Sequence, residues 1–186
     1  MADNNAKNVA AGKPKVGGAV FVAPLGTALP TDAVVKLNEA FANLGYIGDD
    51  GVEVETSVDM DTKYAWGGDP VLNLQKQKTD TAKFTLIEAL NLDVLKTIYG
   101  KSNVTGASIE AGVTVDVTTK PLDSYCWVID TVLNGIPKRF VYPNANISEM
   151  GGVTYKDDEE VGYEITISSV ATDGSLHKEY IKKATE

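Results

Sequence analysis

The chain has 186 residues, 43% hydrophobic and 23% charged, which is enough for one packed core and ordinary for a soluble globular protein. Its 26 acidic against 17 basic side chains leave a net charge of −9. That balance excludes a protein that grips nucleic acid by neutralising phosphates, though not one that lies beside DNA without holding it. A single cysteine, Cys126, excludes an internal disulfide framework, and no run approaches the ~20 apolar residues that span a bilayer, so the expected setting is cytoplasm-like, without membrane contact.

Residues 1–15, MADNNAKNVAAGKPK, are small, polar and aperiodic and read as a flexible N-terminal arm. The run VGGAVFVAPL carries two glycines and a proline and reads as a first strand near 17–23, not a leader. Val34, Leu37, Phe41 and Leu44 recur at helical spacing behind Thr31 or Asp32, which predicts a short helix ending at Gly45.

Residues 51–66, GVEVETSVDMDTKYAW, alternate. Glu53, Glu55, Ser57, Asp59 and Asp61 fall on one parity, and Val52, Val54, Thr56, Val58, Met60 and Tyr64 on the other. Successive side chains of a strand point to opposite faces, so one face is apolar and the other crowded with carboxylates that repel one another. After WGGDP a second strand is expected. Leu72, Leu74, Ala82, Phe84 and Leu86 share one parity; Asn73, Gln75, Gln77, Thr79, Thr81, Lys83 and Thr85 share the other. Its middle, QKQKTDT, buries nothing, so the pair, about 52–87, should project as a long hairpin held only at its ends.

Asn91 caps an expected helix over about 91–99, with Leu92, Leu95, Ile98 and Tyr99 on one face and Gly100 as its stop. Strands are expected near 109–119 and 124–133. Asn134-Gly135 then signals a hairpin into IPKRFVYP, and YEITISSV is the last strand before a tail at 173–186. The whole reads as mainly β: a single domain over 16–172, a β-sandwich or partly closed barrel with one flanking α-helix and a long projecting hairpin.

No chemistry of catalysis emerges. His177, the one histidine, reads as a solvated terminal residue without a second ligand for a metal site. There is no GxSxG, GxGxxG or Walker loop, and DDEE at 157–160 lacks the alternating ligands of a calcium loop. Cys126 reads as a small buried residue. Trp66 and Trp127 read as core or interface anchors, a sugar-stacking platform being the alternative. Neither catalytic residue, metal nor cofactor is expected, and the chain does not read as an enzyme.

The runs LGTALPTD, LGYIGDDGVEVETS, AWGGDPVLNLQ and FTLIEALNLDVLKTIYG, in this order over roughly 16–100, resemble the major tail tube proteins of long-tailed, siphovirus-like bacteriophages. The resemblance implies a structural virion protein with the phage tail tube fold. Copies would form hexameric rings that stack into a tube conducting DNA, with an inner wall of strands from all six subunits. The hairpin and the arm would reach the neighbouring ring. It further implies that Glu53, Glu55, Asp59 and Asp61 face the lumen and repel phosphates, with Asn73, Gln75, Gln77, Thr79 and Thr81 as a wettable companion surface. Lys63, Trp66, Asp69, Lys76 and Lys78 would belong to the inter-ring hairpin. From the residues alone an acidic face on a solvated monomer is the favoured reading, and the resemblance reverses that preference.

Expected partners are other copies of the chain, a tape measure protein, a tail terminator and baseplate proteins, with DNA passing unbound. The expected location is the virion tail, preceded by the host cytoplasm. The alternatives are another tail component (terminator, head–tail joining or baseplate part) and a monomeric β-sandwich binding module.

Overall fold

The computed structural model describes residues 4–183, so the first three residues of the expected arm and the last three of the expected tail lie outside the described residues. The elements run β1 (Gly12–Pro14), β2 (Val20–Pro24), β3 (Ala42–Asn43), β4 (Ile47–Tyr64), β5 (Pro70–Leu86), α1 (Leu92–Tyr99), β6 (Val104–Thr105), β7 (Thr114–Val115), β8 (Tyr125–Leu133), β9 (Ile136–Met150), β10 (Tyr163–Ser169) and β11 (Lys178–Ile181). All but β6 and β7 join one sheet in the order β3-β2-β8-β9-β10-β5-β4, with β1 also on β8 and β11 also on β9.

Local chemistry explains the centre of this sheet. Asn134 and Gly135 take φ of 49° and 85°, the left-handed pair of a type I′ turn, and so fold β8 back onto β9. β9 is long enough to serve two halves of the sheet: its first part pairs with β8 as far as Ala145, and its last part pairs with β10. Between them the register breaks at Pro143, which has no N–H to give the ladder. The sheet bends there and folds over itself without closing into a barrel. Val20, Val22, Trp127 and Ile129 from one half meet Ala82, Phe84, Ile165 and Ile167 from the other in one core. The Phe84 ring stands edge-on to Trp127 at 6.1 Å across that core.

The α1 helix flanks the same core. Asn91 Oδ1 accepts from the Asp93 N–H at 2.9 Å, and Gly100 ends the helix at φ 94°. Val94, Leu95 and Ile98 are buried, and Tyr99 meets Tyr163 edge-on at 6.1 Å.

One expected element is not formed and another is shortened. The helix expected over residues 34–44 is replaced by bends and the short β3. Asp32 does accept the N–H groups of Val34 and Val35, as an N-cap would. Arg139 Nη1 then donates to the carbonyls of Asp32 and Val35 at 3.0 and 2.8 Å, the acceptors that the next helical turn would need. The strand expected at 109–119 shrinks to β7, paired with β6. In the link between them, Gly106 takes φ 121° and leaves no room for a Cβ beside the Gly112 carbonyl. Within the segments read as arm and tail, residues 12–14 form β1 and residues 178–181 form β11.

Arg139 belongs to a buried polar knot. Its Nε and Nη2 donate to Asp130 at 2.6 and 2.8 Å, both residues are almost wholly buried, and Lys15 reaches the same carboxylate at 3.1 Å. Removing Arg139 leaves the buried Asp130 carboxylate with the half-exposed Lys15 as its remaining charged partner among the described residues. Arg139→Ala should therefore cost about 3 kcal/mol in urea unfolding, whereas replacing Asp130 and Arg139 together by Leu and Met should cost far less. Beside the knot, the Lys182 ammonium and then the Val34 and Val35 N–H groups hold the Asp32 carboxyl at about 2, below its ordinary 3.8. A depressed carboxylate contributes fully above its ordinary value and is lost as pH falls through about 2. The 32–35 loop should therefore loosen in that acid window, read by amide exchange, and Asp32→Asn should show the loosening at neutral pH.

Candidate assembly surface

β5 builds the site because its two faces diverge. Leu86, Phe84 and Ala82 enter the core, while Thr85, Lys83, Thr81, Thr79 and Gln77 point away from it. Register with β4 places Glu53 opposite Lys83, Glu55 opposite Thr81, Ser57 opposite Thr79 and Asp59 opposite Gln77. On the other side β10 adds Glu164, Thr166 and Ser168, and β9 adds Glu149 and Asn146. One polar, carboxylate-rich face therefore runs across β9, β10, β5 and β4, behind which lies the core. Glu164 was legible from the alternation of YEITISS; Glu149 needed the register.

A bulge revises the far end of this face. Asp59 pairs with Gln77 but Met60 with Gln75, which leaves Lys76 as the extra residue of β5. Past it β5 changes sides relative to β4. Leu74 comes opposite Asp61 and Leu72 opposite Lys63 on the acidic face, while Asn73 and Gln75 turn to the back, opposite Thr62 and Met60. Thr62 Oγ1 accordingly donates to Asn73 Oδ1 at 2.7 Å. The expectation of one polar face through Asn73, Gln75, Gln77, Thr79 and Thr81 is thus corrected: only the last three share it.

Charge on the face is uneven. Asp61 is met by Lys63 at 2.7 Å and Lys76 at 3.9 Å. Lys83 pairs with Glu164 at 3.1 Å; that hydrogen bond and the Glu164 charge, with Glu53 and Glu149 behind them, push the lysine pKa up. Glu55 and Asp59 have no ion pair among the described residues.

Beyond Asp80 the β4–β5 pair leaves the body as a two-stranded ribbon, projecting roughly 30 Å at the rise of an extended chain. At its tip the Ala65 N–H donates to the Asp69 carbonyl at 2.8 Å, and Gly67 and Gly68 take φ of 118° and 97°. Lys63, Trp66, Asp69, Lys76 and Lys78 all lie on this projecting part and are exposed. Trp66 is fully exposed, whereas Trp127 is fully buried.

The ribbon is pinned at its root by a cluster that sequence reasoning missed. Asp80, 1% exposed, sits on the core-facing parity of β5, accepts from Thr56 Oγ1 at 2.8 Å and lies 2.6 Å from His177 Nδ1. The reading of His177 as a solvated terminal residue is corrected: it is largely buried against the Tyr142 ring, 5.0 Å between centroids. Burial, then the charges of Asp80 and Glu179, pushes the Tyr142 hydroxyl far up. An acid on a buried parity needs a donor partner, and that requirement was the available signal. His177 Nε2 also lies 3.6 Å from Glu179, whose carboxyl burial would raise but which Lys138 and His177 together hold below its ordinary value.

A one-sided sheet with a projecting ribbon gives the protein an extensive exposed surface outside its core. A family model described as Phage tail tube protein matches residues 1–186, and the chain belongs to that family. It is a structural, non-enzymatic component of the bacteriophage virion tail, where it assembles with itself into a tube alongside other tail proteins. Comparison with curated proteins gives no match.

His177→Ala leaves the Asp80 carboxylate with Thr56 as its remaining side-chain donor. The expected loss is about 1–3 kcal/mol in urea unfolding, with faster amide exchange at 80–82 and 178–181. Unchanged stability and exchange would show that the cluster does not pin the ribbon.

Proposed function

We propose that copies of this chain close into hexameric rings whose inner wall is the acidic face of β9, β10, β5 and β4. Stacked rings then form the tube through which phage DNA passes into the host. The observation that supports this reading is a sheet with one packed face, one wettable face and two open edges. Among the described residues no strand pairs with the outer edge of β4 or with residues 146–150 of β9 on the side away from β10. Exposed strand edges carry unpaired N–H and C=O groups that invite another chain, and joining β4 of one copy to β9 of the next satisfies both.

The chemistry of the face suits a conduit. A cation on the wall would hold a phosphate, while carboxylates keep the duplex at a distance. The lysines of this face are engaged by Asp61 and Glu164, so Glu55 and Asp59 remain uncompensated. The ribbon, with Lys63, Trp66, Asp69, Lys76 and Lys78, and the segment at 4–15 reach the adjacent ring. A tape measure protein inside the tube, a terminator at one end and baseplate proteins at the other complete the partners, after synthesis in the host cytoplasm.

Glu55 and Asp59 give the cleanest test because changing them breaks no ion pair. In particles carrying Glu55→Gln with Asp59→Asn, tails should assemble and eject DNA normally. With both residues changed to Lys, ejection should slow about tenfold or more and recover as added salt screens the attraction. Normal, salt-insensitive ejection from assembled Lys tails would place this face away from the DNA.

A further inference from the structure

The ribbon tip gathers apolar surface that nothing in its own subunit covers. Trp66 is wholly exposed, and Tyr64, Val71 and Leu72 are each more than half exposed. A tryptophan offers on the order of 150–250 Å² of contact area, and clustered apolar exposure marks an interaction surface.

At the other end of β4 the link between β1 and β2 and the link between β3 and β4 enclose a groove of about 430 Å³. Pro14, Val16, Ala19, Tyr46 and Ile47 give it an apolar lining, and the exposed Gly17 lines it too. Val16 and Tyr46 stand 99% and 76% exposed on the rim. Gly17, at φ 93°, has open space where a Cβ would stand, which leaves bare backbone for a flat ring to lie on. Lys15 also lines the groove, its side chain 43% exposed although it pairs with Asp130. Asp69, in the same tight turn as Trp66, carries the charge opposite to Lys15, while the groove's own carboxylate, Glu88, is held by the Tyr46 N–H and the Asn91 amide.

One strand joins the two features: Ile47 lines the groove, and Tyr64 ends β4 beside the tip, roughly 50 Å away at the rise of an extended strand. A ribbon whose strands stay paired from Val52 to Tyr64, bulges included, cannot fold back that distance, so a ribbon tip seated in this groove belongs to a second copy. Because the complementary patches differ and lie at opposite ends, their contact does not close on itself and propagates head to tail.

We propose that Trp66 of one copy seats in the groove lined by residues 14–19, Tyr46 and Ile47 of a copy in the next ring, with Asp69 meeting Lys15. The inference rests on the ring-and-stack reading above and names the receptor for the ribbon.

The two tryptophans make the test direct, since Trp127 is buried and Trp66 is exposed. In full-length protein, tube formation followed by electron microscopy should shift the emission to the blue and protect it from iodide; in Trp66→Phe neither change should occur. Trp66→Ala, an exposed change that leaves the fold intact, should raise the concentration needed for tubes about tenfold. One preparation carrying Trp66→Cys and another carrying Tyr46→Cys, mixed, assembled and oxidised, should give a 66–46 cross-link between copies. Tubes that form with Trp66 still open to iodide and without that cross-link would overturn the seat while leaving stacking intact. Failure of the unaltered chain to form tubes would overturn both.

Discussion

The structure turns on the one-sided burial of β5. Leu86, Phe84 and Ala82 supply apolar side chains to the core on alternate positions, and that supply stops at Asp80. The period of a strand is two, so fixing these three inward fixes Thr85, Lys83 and Thr81 outward, and a slip of one residue would invert both faces. Register then transmits the choice to β4 and β10. The carboxylates collect on one face because the core needs the other. Where apolar side chains run out, the body cannot hold the strands, and the ribbon departs.

Three devices hold the one-sided sheet in place. The break at Pro143 lets β9 belong to both halves of the folded sheet, so the outward face is backed by a second layer instead of solvent. The Asp130–Arg139 knot anchors residues 32–35 and Lys15 against β8 and β9. The Asp80–His177 contact closes the point where the ribbon leaves, tying it to the segment that leads into β11. The last two are buried polar contacts. Such contacts add less to stability than apolar packing of the same volume, but they tolerate few alternative arrangements.

Much of this was legible in the residues. Alternation in 51–66 gave that strand and its faces, YEITISSV read as a strand, Asn91 gave the start of α1, and Asn134-Gly135 gave the β8–β9 turn, because each signal acts within a few residues. What was not legible depends on distant partners. The period of Val34, Leu37, Phe41 and Leu44 is helical, yet Arg139, more than a hundred residues on, takes the carbonyls a helix would use. The bulge at Lys76 lies in a stretch polar on both parities, so no pattern of burial marks where Asn73 and Gln75 change sides. Asp80 and His177 are 97 residues apart, and neither neighbourhood announces the other.

The central claim is that the outward face of β9, β10, β5 and β4 lines the bore of a tube made from this chain. An electron cryomicroscopy reconstruction of assembled tubes tests it most directly. Six copies per ring are expected, with β4 of each beside residues 146–150 of the next. Glu55, Asp59, Glu149 and Glu164 should lie on the inner surface. A reconstruction that places these carboxylates on the outer wall, or leaves the β4 edge unpaired, would contradict it.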